Sequence, residues 1–138
     1  MVALTAERNT QERTGEVFSF PVKASTRCLA GGLAVIDAGY AAPGRTATGL
    51  IAAGRFEETA DNSSGAAGAI RARVRRGVFK FVNSSGGDLI AQADIGNDCF
   101  IVDDQTVAKT NGTNTRSRAG KIVAVDSDGV WVQVGIGW

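Results

Sequence analysis

Ile70-Arg-Ala-Arg-Val-Arg-Arg-Gly-Val-Phe-Lys-Phe-Val82 decides the fold. Ile70, Ala72 and Val74 alternate with Arg71, Arg73 and Arg75, and a period of two belongs to a strand with one covered and one charged face. Beyond Arg76-Gly77 the parity reverses, because the positions that carried arginine now carry Phe79 and Phe81. Either a glycine bulge turns the faces over, or the strand runs from an open surface to a covered one. Both readings describe a long, bent strand in an all-β protein.

Outward from this run the chain repeats the pattern in short pieces. Phe18, Phe20 and Val22 alternate from Glu16 onward, with Pro21 marking an edge or a bend. Leu29, Leu33, Val35 and Ile36 surround Gly31-Gly32, as two short strands or one broken by a bend. Ala47–Thr59 reads as a strand; its helix formers leave a short helix as the alternative, which Gly49 and Gly54 disfavour. Asp88–Ala91 and Cys99–Val102 are expected as short strands. Lys121–Val125 and Val130–Val134 form a hairpin in which Asp128-Gly129 is expected to supply positive-φ turn positions. The expectation is a compact β-barrel or β-sandwich of short antiparallel strands. Residues 15–138 make a single β domain, and residues 1–14 are a polar, extended N-terminal arm.

A chain of 138 residues with 18 glycines suits one domain of short strands and tight turns. A net charge of +1 gives no reason to expect direct binding to nucleic acid. No apolar run approaches the ~20 residues of a membrane-spanning helix, so no membrane partner is expected, and the N-terminus lacks the pattern of a secretory signal. Cys28 and Cys99 are therefore expected as buried thiols rather than a disulfide.

Catalytic chemistry finds little support. Histidine is absent, and with it the commonest general base and metal ligand. Asp94, Asp98, Asp103 and Asp104 read as turn aspartates, as does Asp126-Ser-Asp-Gly129, which lacks the distal glutamate of a calcium loop. Asn62-Ser-Ser, Asn83-Ser-Ser and Asn111-Gly-Thr match a glycosylation pattern but read as loops. No catalytic residue, cofactor or metal is expected, and the protein is not read as an enzyme. Two features point instead to contact with other molecules. Arg71, Arg73 and Arg75 could pair with carboxylates of a partner, the alternative being a solvated strand face. Trp131 shares the polar side of the last strand with Gln133, as an interface anchor does, or else lies under the N-terminal segment of its own chain.

Three runs also carry a resemblance: Gly32-Leu-Ala-Val-Ile-Asp-Ala-Gly-Tyr-Ala-Ala-Pro-Gly44, Arg73-Val-Arg-Arg-Gly-Val-Phe-Lys-Phe81, and Cys99-Phe-Ile-Val-Asp-Asp-Gln-Thr-Val-Ala-Lys-Thr110 continuing to Asp128-Gly-Val-Trp-Val132. Over residues 15–136 the chain resembles the small capsid cement, or decoration, proteins encoded beside the major head protein in Mu-like tailed phages and prophages. That resemblance implies a compact β protein made in the bacterial cytoplasm, which assembles as a homotrimer on the virion exterior. Its partners would be the major capsid protein and itself. The family has no catalytic residues to carry over. With it in view, Arg71, Arg73, Arg75 and Trp131 are expected at a self or capsid interface, with Val2 and Leu4 as apolar plugs on the arm. The competing expectation is a β-sandwich module of a phage particle that binds a glycan or host surface.

Overall fold

Arg76 divides the arginine run into two strands that belong to different sheets. The computed structural model describes residues 2–13 and 15–138. In chain order its strands are β1 (Val17–Pro21), β2 (Thr26–Cys28), β3 (Leu33–Asp37), β4 (Tyr40–Pro43), β5 (Ile51–Phe56) and β6 (Ala60–Asn62). There follow β7 (Arg71–Arg75), β8 (Gly77–Asn83), β9 (Asp98–Ile101), β10 (Thr106–Ala108), β11 (Arg118–Asp126) and β12 (Gly129–Val134). The first half of the run, β7, lies in an antiparallel sheet of order β1-β7-β5-β3-β4. The second half, β8, lies in a closed barrel of order β10-β8-β12-β11-β9, in which β10–β8 is the parallel pair. A small sheet, β2-β6, completes the set.

The parity reversal follows from this change of sheet. Ala72 and Val74 enter one core while Arg71 and Arg73 stay outside; beyond Arg76-Gly77, Phe81 enters the other core while Lys80 and Val82 stay outside. Of the two sequence readings, the structure takes the change of surface. Gly77 does not have the positive φ of a glycine bulge. It serves the packing instead, because a Cβ there would stand 3.0 Å from the ring of Phe79. Pro21 sits on the outermost strand β1, where a missing N–H costs no ladder bond. The two edges of this sheet touch at one point, where Val22, just after β1, makes a parallel bridge to Ala41 of β4.

One core fills the barrel with Phe81, Cys99, Ile101, Val107, Ile122, Val130, Val132 and Val134, and takes in Leu33 and Val35 from β3. The other holds Cys28, Ala34, Ala53, Phe56, Ala72 and Val74. Strand β3 is thus buried on both faces, which is why Leu33-Ala-Val-Ile is a continuous apolar run and not an alternation.

Two local expectations are corrected. Asp88–Ala91 is not a strand; it links single 3-10 turns at Gly86–Asp88 and Gln92–Asp94. The Asn83 side chain accepts from Ile90 N and donates to Ile90 O, both at 2.9 Å, replacing the ladder that a neighbouring strand would supply. In the β11–β12 hairpin, Asp126 pairs with Gly129 across a two-residue loop, and neither Asp128 nor Gly129 has positive φ. Gly129 is required by crowding, since a Cβ would lie 2.7 Å from Lys80 Cγ and 2.9 Å from the Phe81 carbonyl oxygen. Residues 51–56 within Ala47–Thr59 form a strand and not a helix.

Both cysteines are free and fully buried, one in each core. Burial pushes the Cys28 thiol up to about 11 and the Cys99 thiol up to about 12. Since the thiolate is the reactive form, neither should react with an aromatic disulfide reagent at about pH 8 in the native protein, and both should react in denaturant. A fast native-state reaction of either thiol would contradict this packing.

Candidate interaction surface

The outer wall of the barrel carries Trp131. Cross-strand pairing sets Trp131 opposite Lys80 on β8 and Ala124 on β11, and sets Gln133 opposite Val78 and Lys121. All of these point away from the barrel core, and the register slips by one residue between Ile122 and Ala124. That bulge leaves Val123 exposed on the outer surface, as are Val78 and Val82, which face out by alternation along β8. The half-buried indole is braced rather than loose. Its Nε1–H donates to Asp126 Oδ2 at 2.7 Å, and Lys80 Nζ lies 5.8 Å from the ring centre. A rigid aromatic loses little side-chain freedom on contact, which favours it as an anchor.

The arginine row has a different character from the one expected of it. Arg73 reaches Glu58 with two hydrogen bonds, of 3.1 and 3.2 Å. Arg75 meets Glu57 at 3.3 Å and Glu16 at 3.6 Å. Arg71 donates to the Ser19 hydroxyl at 2.9 Å and the Ser19 carbonyl at 2.7 Å. Two of the three guanidiniums thus find their carboxylates in their own chain. The acids come from segments that flank β7 in the sheet, next to β1 and just after β5, a proximity created by pairing and not by sequence distance. The row is partly neutralised from within, since Arg71 meets no acid and Glu57 is shared with Arg55.

The aspartates are structural. Asp103 Oδ1 accepts from the backbone N–H groups of Gln105 and Thr106, at 2.9 and 2.8 Å. Asp94 accepts from Ala91 N at 2.8 Å, and Asp128 pairs with Lys80 at 2.9 Å. Asp98 holds both Arg118 and Lys121 at 2.8 Å. Among the described residues no group of three or more acids or cysteines has metal-site geometry.

Three carboxylates, Asp37, Glu57 and Asp98, are each held by two cations of their own chain. Hydrogen bonds from Lys23 and then Arg45 hold Asp37 below the ordinary carboxylate range. Arg55, then Arg75, does the same for Glu57, and Lys121, then Arg118, for Asp98. A carboxylate whose folded pKa is depressed adds stability that is complete above its unfolded pKa of about 4 and is lost as pH falls through the folded value. Urea midpoints should therefore stay level from pH 7 to about 5 and fall below about 4. The triple variant Asp37→Asn, Glu57→Gln, Asp98→Asn should show a shallower fall, and an equally steep one would refute this assignment.

Residues 2–13 of the arm are exposed and form no helix or strand; its end positions Met1 and Thr14 lie outside the described residues. Val2 is 91% and Leu4 72% exposed. At its base Arg13 lies over the Phe18 ring at 5.4 Å, and within it the Thr10 N–H meets the Arg8 carbonyl at 3.0 Å. Sequence reading missed one feature. Ile51 and the distant C-terminal pair Ile136 and Trp138 line a common groove of about 210 Å³.

Compared with known families, curated proteins and solved structures, the chain matches none.

Proposed function

We propose that this protein is a cement protein of a tailed-phage head, binding the outside of the assembled shell as a homotrimer and stabilising it against the pressure of packed DNA. The observation that carries this reading is the outer barrel wall, where a braced Trp131 stands among the exposed Val78, Val82 and Val123. An apolar patch with a central aromatic on a rigid, closed barrel suits docking on a protein surface. The phage head as target follows from the resemblance of the three runs. A cement protein needs no reaction site: a protein that binds the assembled form and not the free subunit shifts the equilibrium toward the shell by mass action. The arginine face, with its acids supplied internally, is assigned a structural role, and the wall and the arm are assigned the contacts.

The glycan-binding alternative also draws on Trp131 and Asp126. That carboxylate is engaged by the indole N–H and Lys80 lies near the ring, which leaves less of the pair for a sugar.

Trp131→Ala should weaken retention on shells by about 2 kcal/mol, roughly 30-fold, with a small change in the melting temperature of the free protein. Undiminished retention together with a large drop in melting temperature would make Trp131 a stability residue and remove the wall from the interface.

A further inference from the structure

We propose that the groove formed by Ile51, Ile136 and Trp138 is the seat for the N-terminal arm of a second copy of this chain, which plugs it with Val2 and Leu4. The groove lies where β5 of the first sheet passes the C-terminal residues 135–138. Ile51 is 55%, Ile136 39% and Trp138 40% exposed. Its walls are fixed from behind. Arg76 stacks on the Trp138 ring at 4.5 Å, and Arg118 Nη1 donates to the Trp138 carbonyl at 2.7 Å. At about 210 Å³ it exceeds the ~150 Å³ that accommodates a benzene ring, so one leucine side chain with part of a valine fits.

The position of the arm's root selects the occupant. A Cβ on Gly15 would lie 3.4 Å from Arg76, whose guanidinium covers Trp138. The arm therefore leaves the body one side chain away from the groove, while its plugs are at the far end. Eleven residue steps separate Leu4 from Gly15, about 36 Å when extended. Seating in its own groove would require the arm to double back on itself about Asn9, where the Thr10 N–H meets the Arg8 carbonyl at 3.0 Å, and to hold that hairpin with no strand beside it. An arm from a neighbour arrives without reversal. The closed barrel beside the groove offers the arm no free strand edge. Side-chain plugs remain, and Val2 and Leu4 fall on the same side of an extended segment. The cationic rim of Arg76 and Arg118 also suits Glu7, the first acid of the arm. Passing each arm to the next copy is a head-to-tail contact, which closes as a ring when the rotation permits.

The inference deepens the cement reading by giving the oligomer its joint, but the test uses free protein without shells. Failure of one therefore leaves the other standing. Leu4→Cys and Ile51→Cys variants, one carrying a mass tag, are mixed and oxidised with diamide at about pH 8, where the buried native thiols stay protonated. The expected product is a mixed disulfide dimer of the two variants, lost when Trp138→Asp is added to the Ile51→Cys chain. A disulfide that forms only within the doubly substituted chain would place the arm in its own groove and overturn the proposal. Absence of either product while both variants remain folded would overturn it as well.

Discussion

Replacing Gly54 by alanine should lower the melting temperature by about 10 °C or more, at roughly 3–5 °C per kcal/mol for a domain of this size. Gly54 has φ +148, a conformation that side-chain-bearing residues rarely adopt. Its Cβ would overlap the carbonyl oxygen of Arg75, standing 2.7 Å from the Arg75 carbonyl carbon and 3.1 Å from Arg76 N. All of these are backbone atoms, so no rotamer change relieves the clash, and strain with overpacking should cost about 3 kcal/mol or more. The position is also where β5 passes the end of β7, at the point where the arginine run leaves one sheet for the other. Gly87 provides the control. It has no positive φ and open space around its Cα, so Gly87→Ala should change stability by less than about 1 kcal/mol, in the stabilising direction if at all. Equal melting temperatures for Gly54→Ala and the unmodified protein would contradict the close crossing of β5 and β7.

Deleting residues 1–14 should have the opposite profile. Residues 2–13 are exposed and contribute nothing to either core, so the melting temperature should move by no more than about 2 °C. Association should suffer instead. Withdrawing a leucine and a valine from an apolar seat removes about 1.5–3 kcal/mol for each side chain fully buried. Retention on shells should then fall by at least tenfold, a conservative figure once the entropy of ordering the arm is set against that gain. A deletion that unfolds the domain would make the segment part of the core. One that leaves retention unchanged would make it a solvated tail.

Much of the fold is legible because burial imposes a period of two. Alternation around Phe18, along Arg71–Arg75 and through Val130–Val134 gives the strands directly, and Pro21 correctly marks an edge. The rest depends on contacts that span the sequence. Arg71–Arg75 reads as an open cationic row until pairing brings Glu57, Glu58 and Glu16 beside it. Asn62 reads as a loop residue, but it is buried, and its amide donates at 3.0 Å to the carbonyls of both Lys23 and Ala66. Asp88–Ala91 has the composition of a strand, yet its backbone partner is the Asn83 side chain. The groove could not be anticipated, because Ile51 meets Ile136 and Trp138 only when the first sheet packs against the barrel. Trp131 was legible as an outward residue from parity alone; its brace by Asp126 follows from the tight hairpin that joins their strands.

Cosedimentation with shells assembled from the major head protein of a Mu-like phage tests the central claim most directly. The protein should pellet with intact shells in a saturable manner, at a fixed ratio to shell subunits, and remain in solution with unassembled head protein. Failure to pellet with shells, or equal binding to shells and free subunits, would contradict the assignment as a cement protein.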